Sequence, residues 1–477
     1  MKFRVVFSVA LVSAMVCVNV CEAETLQDAL TVAYKTNPDL QAQRARLRVT
    51  DETYIQTRSQ FAPTVSLQAQ GSYDREHLAK STRQAEGASN PNLPKFLEQN
   101  SVNAELVVSE PIFTSGRLTS QLRAANADVH AGREALRTTE ANVLYNVILA
   151  YADIERDQGA LDIRQLNLDM LHHQVDETRA RQKAGEVTRT DVAQAEAQLA
   201  AEDALYRSAM GQLDISRNNF AAVVGHMPAD LAPLPALVGV PGTLDEALKT
   251  ADRDNPDLLQ ARYIETGSRA KIDVAKANLG PTVTAQVQQG YQGSLVPFDQ
   301  RDLNRGLGIT ANVIVPLYSG GLYQSQVRQA FDQNAVDQMT VDGTRRSLTK
   351  VLATIWSERL VAQNAVEAQT RQVAAAKIAF EGMRKEYTAG ERSTLDVLVA
   401  EETLRDAELS LNSAKHDVYV TGAAILQNMG LLEITNLVEI DTIYEPDRHL
   451  NEAGKGAIVP WQPILEKLDG IGMYREP

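Results

Sequence analysis

The sequence predicts a mainly α fold with a smaller membrane β portion. The plan is internally duplicated, with long antiparallel coiled-coil helical hairpins and four β-strands per protomer. Three observations carry this reading. Segments near the start recur 218 residues later, apolar residues recur every seventh position through long proline-free stretches, and short segments alternate between apolar and polar residues. The background composition agrees: 44% of the 477 residues are hydrophobic but only 5% aromatic, which suits long helices better than an aromatic-rich enzyme core. Forty-seven basic against sixty-one acidic side chains give a formal net charge of −14, which argues against a nucleic-acid partner.

Residues 1–23 read as a signal peptide. Lys2 and Arg4 supply the positive start, Val5 to Val20 is an almost unbroken apolar run, and Ala23 ends a plausible cleavage site. Both cysteines, Cys17 and Cys21, fall inside it, so the remaining chain has no disulfide and no thiolate chemistry. No later stretch approaches the ~20 apolar residues of a spanning helix. An exported chain of this kind is either soluble or crosses a membrane as β-strands.

The duplication places a first repeat at 24–242 and a second at 243–430. Thr25-Leu26-Gln27-Asp28-Ala29-Leu30 recurs as Thr243-Leu244-Asp245-Glu246-Ala247-Leu248, and Asn37-Pro38-Asp39-Leu40 recurs as Asn255-Pro256-Asp257-Leu258. Aligning 25–73 with 243–291 gives 16 identities in 49 positions, where ordinary composition would give about 3. Beyond this the offset falls to 205, pairing Pro111-Ile112-Phe113 with Pro316-Leu317-Tyr318. The 13-residue difference comes out in the polar stretch 74–100, as tolerated in exposed loops.

Each repeat opens with a helix that Thr25 or Thr243 caps and Pro63 or Pro281 ends. A strand pair follows, at 64–110 and at 282–315. Val65, Leu67, Ala69 and Tyr73 share one face of the first strand, while Thr64, Ser66, Gln68 and Gln70 share the other. Long helical hairpins occupy 117–225 and 322–428. Residues 117–182 contain no proline, and Val147, Ile154, Leu161, Leu168 and Val175 fall every seven residues. At ~1.5 Å per residue the first helix would be about 100 Å long. Gly185 suits a left-handed cap, and the returning helix presents Ala193, Ala197, Ala200 and Ala204 as a small-residue side. Residues 431–477, with Pro446, Pro460 and Pro463, read as an irregular C-terminal tail.

Strands of about ten residues with one apolar and one polar side suit either a membrane barrel or a soluble hairpin with one buried face. Four strands cannot close a barrel, and open edges are forbidden in lipid because their N–H and C=O groups would lack partners. Several copies must therefore combine for a membrane reading. Two would give eight strands and a filled interior, whereas three would give twelve and a lumen. Phe61, Phe113 and Tyr318 lie with prolines at the strand–helix junctions, as barrel-rim aromatics would; packing at a helix end is the plainer account of each.

With these features, the chain resembles the TolC family of outer-membrane efflux proteins over roughly residues 24–430. The most specific elements are the paired turns Ala184-Gly185-Glu186-Val187-Thr188-Arg189-Thr190-Asp191-Val192 and Ala389-Gly390-Glu391-Arg392-Ser393-Thr394-Leu395-Asp396-Val397-Leu398. The resemblance implies a homotrimer with a twelve-strand β-barrel in outer-membrane lipid, continued by an α-helical tunnel in the periplasm. It implies export of proteins or small toxic molecules, by type I secretion or multidrug efflux. The implied partners are a periplasmic adaptor (membrane fusion protein) and an inner-membrane ABC or proton-driven pump. The turns Ala184, Gly185, Glu186, Ala389, Gly390 and Glu391 would meet the adaptor. Asp191, Tyr387, Arg392 and Asp396 match the polar ties that close the periplasmic gate in similar proteins. A further acidic family position falls on Val399, so an additional aspartate ring does not carry over. Physically, Arg392 offers a planar fork that can span carboxylates of two chains, and Tyr387 can donate to Asp191. Asp191 and Asp396 would equally serve as plain helix caps.

No enzyme, cofactor or metal site is expected. The adjacent His172 and His173 point apart on a helix, whereas metal pairs favour i, i+4 spacing. Gly306-Leu307-Gly308 falls in a predicted strand and precedes no helix, so it is no phosphate loop. The alternative reading is a soluble periplasmic coiled-coil scaffold or adaptor of an export complex.

Overall fold

The structure, a computed structural model, describes residues 23–81, 96–440, 443–457 and 459–471. The expected signal peptide, with both cysteines, lies outside these residues apart from Ala23. The described chain falls into two compact units, treated separately below. A hairpin unit comprises residues up to Lys35, Asn146–Leu237 and Ala365–His416, and a sheet unit comprises Thr36–Tyr145, Val238–Asn364 and the chain from Asp417 onward.

The first half of the chain runs α1 Leu26–Thr36, α2 Pro38–Ser59, β1 Thr64–His77, β2 Phe96–Phe113, α3 Arg117–Ala184 and α4 Arg189–Val224. The second half repeats this as α5 Leu244–Asp254, α6 Pro256–Ala277, β3 Thr282–Gly293, β4 Asn304–Ile314, α7 Leu322–Thr388 and α8 Thr394–Met429. The long helices have 68 and 67 residues and the returning helices 36 each, so the duplication holds almost residue for residue. The expectation of a single opening helix per half is corrected to two. Proline disfavours helical geometry at the residue before it and is well placed at a helix's first position. Asn37 and Asn255 therefore leave the helix, and each side chain caps the next one, accepting from Leu40 N at 3.3 Å and from Leu258 N at 2.9 Å.

In the sheet unit the four strands form one antiparallel sheet in the order β1-β2-β3-β4, so β2 and β3 join the two halves. Residues directly opposite one another point to the same side. Val65, Val108, Val287 and Ile309 thus form one apolar row across all four strands, and Leu67, Leu106 and Leu307 lie in the next. The other side carries rows such as Thr64, Ser109, Gln286 and Thr310, and Ser66, Val107, Gln288 and Gly308. The apolar side has no cover among the described residues: Leu67 is 74% exposed and Ile309 76%. Among the described residues no helix is long and apolar enough to cross a membrane.

The tail is not irregular throughout, which corrects the sequence expectation. It carries α9 Ile434–Leu437, α10 Pro446–Ala453 and α11 Gln462–Ile471. Pro446 and Pro463 sit in first turns, where the missing N–H has no intrahelical partner to lose, so they start helices rather than break them. The buried Asp469 of α11 closes the turn between β2 and α3. Its Oδ1 accepts from Thr114 N at 2.6 Å, Thr114 Oγ1 at 2.8 Å and Gly116 N at 3.2 Å. Its Oδ2 accepts from Thr119 N and Oγ1. Beside it, Leu465 packs with Phe61 and Leu118. The same junction brings Ser115 so near Gly280 that a Cβ there would collide with the serine side chain. Asp469→Asn removes the charge and turns one of the two acceptor oxygens into a donor facing donors, so it should lower stability by roughly 2 kcal/mol. Thermal unfolding in detergent would read this as a lower midpoint, and an unchanged midpoint would refute the assignment.

In the hairpin unit the seven-residue seam of α3 is buried at Val147, Ile154, Leu168 and Val175, with Leu161 half-buried. The small-residue side expected on α4 is exposed within the chain. Val192, Leu213 and Phe220 are buried instead, because larger apolar side chains gain more from burial than alanines, and Ala195 and Glu202 are buried with them. Tyr151, fully buried against Phe220, donates its hydroxyl to the carbonyls of Glu24 and Ala232. It thereby fastens the short parallel bridge between Glu24 and Leu231.

Candidate functional site: the paired helix–helix turns

The two turns of the hairpin unit are built alike. Each long helix ends in a glycine with φ of +82°, Gly185 or Gly390, a backbone region closed to most side chains. The following amide then reaches back five residues, from Glu186 N to Arg181 O at 2.9 Å and from Glu391 N to Glu386 O at 3.0 Å. Three residues on, Thr188 and Ser393 cap the returning helices. Asp191 Oδ2 accepts from Thr188 N at 2.7 Å and Oγ1 at 2.8 Å, and Asp396 Oδ2 accepts from Ser393 N at 3.0 Å and Oγ at 2.8 Å. These are reciprocal capping boxes. The Ser393 hydrogen bonds also hold the Asp396 carboxyl below the usual carboxylate range.

Charge is arranged oppositely in the two turns. In the first, helix residue Arg181 donates to turn residue Glu186 at 3.0 Å. In the second, turn residue Arg392 donates to helix residue Glu386 at 2.8 Å. That bond holds the Arg392 guanidinium more firmly protonated than usual. Tyr387 is 3% exposed, packed with Phe380 and Val397, and the Arg181 guanidinium lies 4.7 Å over its ring. Its hydroxyl has no hydrogen-bond partner among the described residues.

Of the four predicted gate residues, then, Asp191 and Asp396 sit in equivalent cap positions, while Arg392 engages Glu386 and Tyr387 is wedged between hairpins. The Tyr387–Asp191 bond drawn from the sequence is not made within the chain: Asp191 Oδ2 serves the cap and Arg181 lies over the tyrosine ring. Ala184, Gly185, Glu186, Ala389, Gly390 and Glu391 form the turn tips, and all six are exposed. The aromatics at the strand–helix junctions divide. Phe61 is 1% exposed, sealed by Leu118 and Leu465, and so is unavailable to a lipid interface. Phe113 is half-buried in β2, and Tyr318 is 91% exposed.

Sequence reasoning missed a buried charge cluster behind the turns. Glu202 of α4 is 1% exposed and takes Arg405 of α8 at 2.7 Å and Arg164 of α3 at 3.2 Å. Glu401, one turn before Arg405, is 5% exposed, and its Oε1 has no partner among the described residues. Burial pushes its carboxyl up to about 7, against the pull of Arg405 and Arg384. Among the described residues no group of three or more His, Cys, Asp and Glu side chains could hold a metal ion.

A sheet apolar on one side, polar on the other and open at both edges, joined to twinned helical hairpins, defines one subunit of a composite membrane channel. Comparison with known proteins agrees. Residues 29–226 and 247–431 match the sequence pattern of the outer membrane efflux protein family, and the chain belongs to that family. The outer membrane efflux protein BepC of Brucella suis is 29% identical over 427 residues, covering 90% of each chain. The outer membrane protein TolC of Salmonella enteritidis is 26% identical over 435 residues, 88% of this chain and 85% of its own. The crystal structure of the outer membrane protein VceC from Vibrio cholerae matches with a TM-score of 0.72 at 20% identity, over 85% of this chain and 96% of that one.

Proposed function

We propose that three copies of this chain form the outer-membrane channel of a tripartite export system. The channel conducts proteins or small toxic molecules from an inner-membrane ABC or proton-driven pump, through a periplasmic adaptor, to the outside. The observation that carries this reading is the sheet. Its mainly apolar side, with the Val65–Val108–Val287–Ile309 row unbroken across all four strands, suits lipid, its polar side suits water, and its two open edges are forbidden in a bilayer unless other copies pair with them. Three copies supply twelve strands and a lumen, whereas two would give a filled barrel. The exposed turn tips are the surface offered to the adaptor.

The gate reading of Asp191, Tyr387, Arg392 and Asp396 is compatible with the bonds inside one chain. The caps use only Oδ2 of each aspartate, and a carboxylate accepts at both oxygens. Arg392 has donors beyond the one bonded to Glu386, and the unpartnered Tyr387 hydroxyl has a bond to gain. Exposed polar ties contribute ~1 kcal/mol or less each, so a latch made of three copies of them is one that a docking partner can release.

Reconstitution in a planar bilayer tests both levels. The purified protein should need detergent for extraction and should form discrete channels, with a larger single-channel current for the variant carrying Tyr387→Phe and Arg392→Ser. Protein that washes off membranes without detergent would favour the soluble adaptor reading. Channels of unchanged current would remove the latch and leave the pore.

A further inference from the structure

We propose that the open edges of β4 and β1 pair between copies in a single register, with Val313 of one copy opposite Ala69 of the next. This rests on the three-copy channel proposed above and specifies how its wall is joined.

The derivation uses the duplication twice. Within each hairpin the register is conserved to the residue: Val65 faces Val108 in the first, and their counterparts at offsets 218 and 205, Val283 and Val313, face each other in the second. The chain also contains one seam between repeats, β2 with β3, in which Val108 faces Val287 and Ser109 faces Gln286. Carrying that seam forward by 205 on the β2 side and back by 218 on the β3 side gives β4 with β1. Val313 then faces Ala69, Asn312 faces Gln70, Thr310 faces Ser72 and Ile309 faces Tyr73.

Two features of the chain agree with this transfer, the first as a consequence of the duplicated register and the second independently of it. First, every transferred pair joins like sides: Ile309 and Val313 belong to the apolar rows with Ala69 and Tyr73, while Thr310 and Asn312 belong to the polar rows with Gln70 and Ser72. A slip of one residue would turn the whole apolar side of β1 toward water. Second, β2 runs to Phe113, which faces Val283 after a bulge at Ile112, whereas β4 stops at Ile314. The counterparts of the missing stretch, Val315, Leu317 and Tyr318, are 51%, 92% and 91% exposed. They are bare because the strand that would seat them belongs to another copy. In the transferred register Leu317 takes the bulge, Tyr318 faces Val65, and Pro316 stands beside the bulge, where the absence of an N–H is tolerated.

The competing arrangement is a slip of two residues, which keeps the sides matched. Engineered cysteines separate the two, and the chain's own cysteines are only Cys17 and Cys21. Neighbouring cross-strand pairs alternate between Cα separations of ~5.5 and ~4.5 Å. Of the variants Ala69→Cys with Val313→Cys and Gln70→Cys with Asn312→Cys, one must therefore occupy a close pair. A disulfide needs Cβ atoms about 3.5–4.5 Å apart, and a diagonal neighbour lies ~7–8 Å away. Within one chain β1 and β4 are separated by two strands, so no internal bond can form.

After mild oxidation of membranes, at least one of these variants should run as linked copies, up to three, on a non-reducing denaturing gel and collapse to single chains with reductant. The displaced variant, Gln68→Cys with Asn312→Cys, should stay single. Native mass measurement of the unoxidised protein in detergent reads the copy number independently. Three copies with bonding only in the displaced variant, or in none, would overturn the register while leaving the channel standing. A single-copy mass would overturn both.

Discussion

Replacing Arg405 by alanine should destabilise the packed hairpins by about 3–5 kcal/mol, the typical cost of removing one partner from a buried ion pair. Glu202 is almost fully enclosed and receives Arg405 Nη1 at 2.7 Å on Oε2 and Arg164 Nη1 at 3.2 Å on Oε1. Arg405 reaches it from the second hairpin, and without it the buried carboxylate keeps Arg164 on Oε1 while Oε2 loses its charged partner. The penalty belongs to the stranded charge rather than to the bond. The double variant Glu202→Leu with Arg405→Met should therefore recover most of the loss, since a buried pair replaced by apolar residues of similar volume is often neutral or better. Unfolding midpoints of the two single variants and the double variant form a closed cycle that isolates the coupling. A shift for Arg405→Ala no larger than that of an exposed surface substitution would show that the pair carries no such weight.

This pair also marks where sequence reading stops. The repeats, the strand faces and the paired turns were legible because each is a local pattern: a recurring string, a period of two, a glycine followed by a cap and an aspartate. Glu202 and Arg405 look in sequence like solvated charges on helix faces. Only the packing of α4 against α8 brings them together, 203 positions apart. Phe61 was read as a rim aromatic because it lies beside Pro63, but its cover comes from Leu465 at the other end of the chain. The helices of the proline-bearing tail are hidden in sequence because composition does not say whether a proline opens a helix or interrupts one. The Asn-Pro strings stand out in sequence as repeats, yet their meaning as helix starts is hidden inside a continuing helical pattern. Arg392 and Glu386 stand six residues apart, a spacing with no meaning on a straight helix, and they meet only because Gly390 folds the chain back.

Stability of the hairpin packing should fall as pH rises from about 5 to 8, and Glu401→Gln should remove most of that slope. In the packed state burial raises the Glu401 carboxyl to about 7 from its ordinary 4.5, with Arg405 and Arg384 pulling it down and Glu202 adding to the rise. Between those two values the packed protein holds a proton that the opened or unfolded chain has released. Stability declines with pH wherever the native state binds more protons. The contribution is therefore complete below about 4.5, is lost progressively as pH rises through 7, and is spent above it. The difference between the two ends corresponds to roughly 3 kcal/mol per chain. Glutamine keeps the shape and stays neutral, so the variant should be more stable than the parent at pH 8 and little different at pH 5. Because Glu401 lies one to two turns behind the Ser393–Asp396 cap, ionisation strains the same packing that holds the turns in place. Channels in a planar bilayer should accordingly spend more time open at pH 8 than at pH 6, and the variant should not. Parallel pH profiles for parent and variant, in melting and in open probability alike, would dismiss Glu401 as the group responsible.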